Sequence, residues 1–334
     1  MILVIYCIFL KDINSSPVQH RFSRDRASRL EGKRKFNHFV VVKMPSETPS
    51  FSCSPFLEGF GHEVAAPFFS ESNLLHVVSG SDIVSVSSTG SLTKIKSTGG
   101  APAGAIFYND GLLYIADIEH GAILAMESKN IASNESMLIA NVYEEKPFKG
   151  PTSIICHPSN GSVYFTDAGP SGETGLHAPV GSVYVIDQGP SEKVLKPIIM
   201  GALAYPSGIA LSPSGNCVYV SEMMANRVLR FVQRPEGVYH SSVFYTFQGG
   251  IGPSCITCDK NTGNIIVGHY EMKEYSSKKE GHVYILSPEG KLVAQLTTKG
   301  SEISGVAINS NNILYITEKS TNSISKFDLT LLEK

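Results

Sequence analysis

The sequence of 334 residues contains no tryptophan, and only 17% of its residues are charged, with a formal net charge of −2. Charge this sparse and balanced argues against a nucleic-acid-binding protein that relies on bulk electrostatic attraction. The hydrophobic fraction of 42% is too high, and the net charge too small, for a disordered chain. Such a composition is typical of a globular protein with a sizeable core.

The sequence also lacks any apolar run of the roughly 20 residues that a transmembrane helix needs. The run from Ile2 to Leu10 is too short, and neither a preceding basic residue nor a following cleavage site supports a signal peptide. The stretch 21–36 is rich in Arg and Ser, as in organelle transit peptides, but contains two acids. We expect residues 1–50, with nine Lys and Arg against four Asp and Glu, to form a basic, disordered extension.

Cysteine is scarce, because the chain has six cysteines and only Cys255 and Cys258 lie close together. This single C-x-x-C lacks the second ligand pair that a zinc site requires. Free cysteine packs as a small apolar residue, so we predict reduced, mostly buried thiols. Reduced thiols favour a cytoplasmic location, although the N-terminal segment leaves organelle targeting or secretion open.

A repeat organises the rest of the chain. A short apolar strand that ends in a small or acidic polar residue recurs about every 48 residues. The copies are LLHVVS at 74–79, LLYIAD at 112–117, SVYFTD at 162–167, CVYVSE at 217–222, NIIVGH at 264–269 and ILYITE at 313–318. Similar segments precede and follow most copies, rich in Val, Ile and Tyr and separated by Gly, Asn, Ser and Pro. This pattern is typical of strands joined by turns.

Four strands in a unit of about 48 residues are typical of a β-propeller blade. Six such units fit residues 52–334, so we predict an all-β, six-bladed β-propeller over residues 51–334, with four antiparallel strands per blade. The last unit lacks a fourth strand, which the stretch 51–59 would supply. A solenoid is the alternative, but it would normally have atypical capping units.

Candidate site residues repeat with the blades. The first strand of each propeller blade lines the central channel, and the loops entering these strands converge on one face. The polar residues at these strand starts are Glu63, Thr152, Ser207, Ser254 and Ser304. Such a ring would bind a cation, a sugar-like molecule or water. The alternative is that the hydroxyl groups cap turns.

Several of these segments resemble known propellers. Residues 205–231 (YPSGIALSPSGNCVYVSEMMANRVLRF) are similar to the strictosidine-synthase-like blade that begins F-P-N-G-V-A-L-S-P, and residues 163–187 resemble the same group. Residues 62–79 (HEVAAPFFSESNLLHVVS) resemble the E-x-P-V-W segment that opens the regucalcin domain. Residues 60–330 therefore resemble the superfamily that joins regucalcin/gluconolactonase proteins with strictosidine-synthase-like proteins.

The resemblance implies a Glu–Asn–Asp site for Ca²⁺ or Zn²⁺ on the channel, with a further Asn near the substrate. Glu63 matches the Glu, but the metal-binding Asn and Asp positions fall on Ser207 and Ser254. The substrate-side Asn falls on Thr152. Because serine is a poor ligand for a hard divalent cation, we expect a degenerate site that binds such an ion weakly if at all.

Two carboxylates are candidates for catalysis. Glu63 would act as a general base if the channel raised its pKa. Glu318 matches by position the pocket Glu that the strictosidine-synthase-like resemblance implies for amine–aldehyde condensation. The rival interpretation is a turn acid, since acids recur at the same place in other units, namely Asp117, Asp167 and Glu222. His269 breaks that pattern, and we expect it either to line a rim pocket or to lie on the surface.

Two functional hypotheses follow. The first is a small-molecule ester or lactone hydrolase with a degenerate metal site, which the resemblance and Glu63 favour. The second is a non-catalytic propeller that acts as a ligand-binding or protein-interaction scaffold, which the Ser and Thr substitutions favour. Fold alone does not decide between them. The expected partner is a small molecule in the channel or a protein, whereas no nucleic acid and no transmembrane segment are expected.

Overall fold

Among the described residues, five four-stranded antiparallel sheets and one sheet of four antiparallel strands with a parallel fifth strand at its edge form six blades. The computed structural model describes residues 48–333, except 130–132, 170–171, 173, 189–191, 236 and 273–279. The predictions on residues 1–47, including the disordered extension and Cys7, lie outside the described residues, and the proposed domain boundary at residue 51 stays a prediction. Among the described residues, no helix is long and apolar enough to cross a membrane.

The strands fall into blades in chain order. Blade 1 contains β3 (Ala65–Phe69), β4 (Leu75–Ser79), β5 (Asp82–Val86) and β6 (Leu92–Ser97). Blade 2 contains β7 (Pro102–Phe107), β8 (Leu112–Asp117), β9 (Ala122–Glu127) and β10 (Met137–Ala140). A small hairpin of β11 (Val142–Tyr143) and β12 (Lys146–Pro147) precedes blade 3, which contains β13 (Pro151–Cys156), β14 (Val163–Asp167), β15 (Gly181–Gln188) and β16 (Lys193–Leu203).

Blade 4 contains β17 (Pro206–Leu211), β18 (Cys217–Glu222), β19 (Arg227–Gln233) and β20 (Tyr239–Thr246). Blade 5 contains β21 (Gly252–Cys258), β22 (Ile265–Tyr270), β23 (Gly281–Leu286) and β24 (Leu292–Thr298). Blade 6 contains β25 (Ile303–Ile308), β26 (Ile313–Glu318) and β27 (Ser323–Asp328). Two short 3-10 helices span Met223–Ala225 and Leu329–Glu333. The predicted all-β, six-bladed propeller is confirmed.

Each first strand contacts the first strands of the blades before and after it, so the six sheets close into a ring. The apolar core lies between neighbouring blades. Between blades 2 and 3, for example, buried Tyr114, Phe165 and Tyr184 belong to one cluster, and the rings of Phe165 and Tyr184 stack at 5.4 Å. Second strands such as β14, VYFTD, are buried along their whole length, because blades pack against both of their faces.

The ring is closed by the N-terminal part of the domain. The strand β2 (Ser54–Leu57) pairs antiparallel with β27 and completes blade 6, as predicted for the stretch 51–59. A second strand, β1 (Ser50–Ser52), was not expected: it adds a parallel fifth strand to β24 of blade 5. Phe51 of β1 also packs against Phe327 of blade 6, with ring centroids 5.6 Å apart. Residues 50–57 therefore connect blades 5 and 6 in two ways, through the pairing of β1 and β2 with different blades and through the contact of Phe51 with Phe327.

The cysteines of the described residues are free. Cys156 and Cys255 are buried, and Cys53, Cys217 and Cys258 are half-buried. Burial raises the pKa of Cys255 and of Cys258 to about 12, so both thiols stay protonated at neutral pH. Cys255 and Cys258 both lie on β21 and form neither a disulfide nor part of a metal-binding cluster of described residues.

The closing strands should contribute strongly to stability. A chain that begins at Thr48 keeps β1 and β2, whereas one that begins at Glu58 lacks both. We expect the shorter chain to melt about 10 °C lower, because it loses the pairing of two strands and the packing of Phe51. Thermal melting followed by circular dichroism measures the difference, and equal melting temperatures for the two chains would contradict this account of closure.

Candidate functional site

The six first strands enclose a cavity of about 470 Å³ along the axis of the ring. At the end where these strands begin, its wall contains four hydroxyl residues and two alanines, which are Thr152, Ser207, Ser254, Ser304, Ala66 and Ala103. Further along, the lining residues include Ile106, Ile155, Leu211 and Ile308 as well as Ser153 and Thr257. At the opposite end lie Pro158, Pro213 and Lys260. The cavity thus combines a hydroxyl-rich end with a wall to which both apolar and polar residues contribute.

Four of the five predicted ring positions come together in this cavity, and their hydroxyl groups connect the blades. Each lies within hydrogen-bond distance of the backbone carbonyl at the start of the next blade. The pairs are Thr152 Oγ1 to Pro206 O at 3.2 Å, Ser207 Oγ to Pro253 O at 2.8 Å, Ser254 Oγ to Ile303 O at 2.6 Å and Ser304 Oγ to Val64 O at 2.7 Å. The four hydroxyl groups therefore bond between blades rather than within turns.

A second set of hydroxyl groups, which the sequence analysis missed, lies behind the first. Thr166, Ser221 and Thr317 come from the second strands and lie 2.9, 3.1 and 3.0 Å from the oxygens of Thr152, Ser207 and Ser304. The signal was present in the repeat, because each of these residues directly precedes the terminal acid of its strand. Blade 2 has Ala116 at this place and Ala103 at the corresponding place of its first strand.

Glu63 is placed differently from the four hydroxyl residues. It precedes β3, and 71% of its side chain is exposed to solvent. Its carboxylate lies 3.5 Å from the ammonium group of Lys319, and Glu63 is not among the residues that line the cavity. An exposed carboxylate stays well hydrated, so the surroundings of Glu63 do not supply the desolvation that would activate a general base.

Glu318 is buried and belongs to the turn that follows β26. Its carboxylate accepts hydrogen bonds from the backbone N–H of Glu302 at 3.0 Å, Ser320 at 3.0 Å and Thr321 at 2.8 Å. It also accepts the hydroxyl groups of Ser320 and Thr321. Gly300 packs so closely over this carboxylate that a Cβ atom there would clash with it. The arrangement ties the second strand of blade 6 to the segment that enters its first strand.

The same device recurs in other blades. In each case the acid that ends the second strand accepts a hydrogen bond from a backbone N–H just before the first strand. Ala101 donates to Asp117, Gly150 to Asp167 and Ala204 to Glu222. Burial opposes ionisation of Asp117, but hydrogen bonds from His120, Thr98 and Ala101 outweigh it and lower its pKa. For Asp167 burial prevails and raises the pKa. The repeated acids therefore have a structural role in the turns.

His269 takes the place of the acid in blade 5. It is buried, and its Nε2 donates a hydrogen bond to Asn226 Oδ1 at 3.0 Å, since the amide nitrogen of Asn226 donates to Gly249 O at 2.8 Å. Burial, with a smaller contribution from the nearby His282, lowers the pKa of His269 to about 4. A neutral His269 thus links blade 5 to the turn of blade 4, and it does not line the cavity.

The donor set does not fit the divalent cation that the resemblance implies. Ser207 and Ser254 occupy two of the ligand positions and direct their hydroxyl groups to backbone carbonyls. The one carboxylate, Glu63, lies beside Lys319. Among the described residues there is no group of three or more His, Cys, Asp or Glu side chains that could hold a metal ion. Hard divalent cations prefer several carboxylate and carbonyl oxygens, and this site does not supply them.

Replacing Glu318 by glutamine should destabilise the fold. The amide would place an N–H₂ group against backbone N–H donors and would remove the negative charge that they stabilise. We expect Glu318→Gln to lower the free energy of unfolding by about 2–4 kcal/mol. The matched control, Glu63→Gln, changes an exposed side chain and should cost less than about 1 kcal/mol. Urea unfolding of both variants measures the difference, and equal effects would contradict the structural role of Glu318.

Calcium and zinc should bind weakly. We expect titration calorimetry of the full chain to show no saturable site with a dissociation constant below about 10 µM, because the site offers one carboxylate and no amide. The double variant Ser207→Asn/Ser254→Asp restores an amide and a second carboxylate and should bind at least about tenfold more tightly. Tight stoichiometric binding to the unaltered chain would show that the donor set has been misjudged.

Comparison with known proteins places the fold. The structures that resemble this chain include a putative gluconolactonase (19% identity, TM-score 0.66, covering 83% of this chain and 91% of the other) and a gluconolactonase from Xanthomonas campestris (17%, 0.63, 85% and 98%). A calcium-binding protein, regucalcin, from Agrobacterium tumefaciens is similar, with 18% identity and a TM-score of 0.65 over 83% of this chain and 93% of the other. A search of curated proteins finds no significant match. The family profile described as the SMP-30/gluconolactonase/LRE-like region matches residues 70–320, and the chain therefore belongs to this family.

Proposed function

We propose that this protein is a ligand-binding member of its family, whose central cavity holds a small, mainly apolar molecule without the help of a divalent metal. The observation that carries the proposal is the cavity itself. Its volume of about 470 Å³ lies within the range of about 300–1,000 Å³ that is usual for small-molecule sites. Apolar lining residues together with polar groups that fix a ligand's orientation are also usual at such sites.

Metal-assisted hydrolysis is the less well supported function. In that reaction a metal ion polarises the carbonyl or phosphoryl oxygen, and a carboxylate acts as base or nucleophile. The described residues supply neither the ligand set nor a carboxylate on the cavity wall, since Glu63 is exposed and lies beside Lys319. The cavity is better suited to holding a molecule than to activating water.

Lactone hydrolysis is the second candidate, because solved structures similar to this chain carry the name gluconolactonase. Glu63 would be the base in that reaction, and it occupies the place that the family resemblance implies for a metal-binding glutamate. The location of the protein in the cytoplasm stays a prediction from its free cysteines.

Binding can be tested with the neutral apolar dye N-phenyl-1-naphthylamine, whose fluorescence rises in an apolar environment. We expect saturable binding of one dye per chain with a dissociation constant in the micromolar range, and we expect it without added metal. Thr257 is half-buried and lines the cavity, so Thr257→Trp should fill the space and abolish binding. Thr93→Trp, at an exposed position on β6, is the matched control and should leave binding unchanged.

The same preparation tests the second candidate. Hydrolysis of glucono-δ-lactone should proceed at the background rate with Ca²⁺ or Zn²⁺ supplied, and equally for the unaltered chain and Glu63→Gln. A metal-dependent acceleration that Glu63→Gln removes would establish the hydrolase instead. Failure of the dye to bind, or binding that Thr257→Trp leaves intact, would refute the cavity as the ligand site.

A further inference from the structure

The hydroxyl protons of Thr152, Ser207, Ser254 and Ser304, the ring hydroxyl groups, all point towards the next blade. A hydroxyl group has one proton to donate and two lone pairs that accept. Ser207, Ser254 and Ser304 each have a neighbouring blade's carbonyl oxygen within 2.8 Å. For each hydroxyl group this carbonyl is closer than the groups of its own blade that lie within hydrogen-bond distance. Because these carbonyls cannot donate, the hydroxyl protons are directed between the blades and away from the cavity.

The hydroxyl groups of the second strands support the same assignment. Thr166 Oγ1 already accepts the backbone N–H of Ser153 at 3.0 Å, and its own proton is directed to Thr152 Oγ1 at 2.9 Å. Thr152 in turn donates to the carbonyl of Pro206. The hydrogen bonds are thus donated from the second strand to the first strand, and from the first strand to the next blade. Each ring oxygen thereby accepts at most one such bond and keeps a lone pair for a molecule in the cavity.

The charge of the wall limits which donor can be bound. Among the described residues, the cavity wall contains no aspartate or glutamate, and its charged side chain is that of Lys260 at the opposite end. A buried ammonium group without a carboxylate partner would be costly. The neutral hydroxyl group of a ligand has no such cost, and the ring oxygens of blades 3 to 6 can accept its proton.

We propose that this ring of acceptor oxygens selects a neutral alcohol, whose hydroxyl group donates its one proton to the ring oxygen of Ser207 or of Ser254 while its apolar body lies along the wall. This inference rests on the proposed function, because it specifies the class of molecule that the cavity holds. The ring then distinguishes an alcohol from an ether or a hydrocarbon of the same size, because only the alcohol satisfies the lone pairs that an apolar group would leave without partners.

Three probes with matched apolar bodies test the inference, namely 1-octanol, its isomer heptyl methyl ether, and octylammonium. Titration calorimetry of the full chain should show 1-octanol binding about five- to tenfold more tightly than the ether, as expected for one net hydrogen bond. Octylammonium should bind more weakly than the alcohol. The double variant Ser207→Ala/Ser254→Ala should reduce the preference for the alcohol over the ether to less than about twofold.

The controls separate the inference from the proposed function. Ser212→Ala removes a hydroxyl group that lines the opposite end of the cavity and should leave the preference unchanged. Circular dichroism checks that the double variant is folded, and the comparison of probes on the unaltered chain stands even if it is not. Equal binding of alcohol and ether, or tighter binding of the ammonium, overturns the inference but leaves a cavity that binds apolar molecules. No binding of any probe overturns both.

Discussion

Hydrogen bonds between consecutive blades are the constraint on which the centre of this molecule depends. Thr152, Ser207, Ser254 and Ser304 each bond to a backbone carbonyl that begins the following blade. A buried carbonyl without a partner is unfavourable, and a net hydrogen bond contributes about 1 kcal/mol, so these contacts both align the first strands and satisfy their polar groups. The same contacts determine what the cavity presents to a ligand, since they fix the direction of the hydroxyl protons.

A second polar system holds each blade to itself at the turn that enters it. Asp117, Asp167, Glu222 and Glu318 accept backbone N–H groups that precede the first strand of the same blade. A carboxylate at the end of a second strand thus organises the loop at one face, while hydroxyl groups organise the centre. The candidate catalytic acid Glu318 belongs to the first of these systems, which explains why a buried glutamate occurs there without access to the cavity.

The ring is not symmetric, and its asymmetry shapes the cavity. Blade 2 has Ala103 and Ala116 where blades 3, 4 and 6 have hydroxyl residues, and blade 1 contributes Ala66 to the wall. The hydroxyl oxygens are therefore confined to the side formed by blades 3 to 6. The chain belongs to the SMP-30/gluconolactonase/LRE-like family. Ser207 and Ser254 stand where the resemblance implies two metal ligands, and that correspondence stays a prediction. The additional resemblance to strictosidine-synthase-like proteins stays a prediction.

The sequence by itself determined the class of fold, the number of blades and the closing strand near residues 54–57, because strand periodicity and the repeat of about 48 residues are local properties of the chain. It also located four residues of the cavity end, since equivalent places in a repeat converge on the axis. Only the tertiary structure decided what those residues do. Their carbonyl partners lie 46 to 240 residues away, and Phe51 packs against Phe327, so no local pattern could reveal either contact. The position of Glu63 beside Lys319 was likewise decided by closure of the ring, which brings the last blade next to the first.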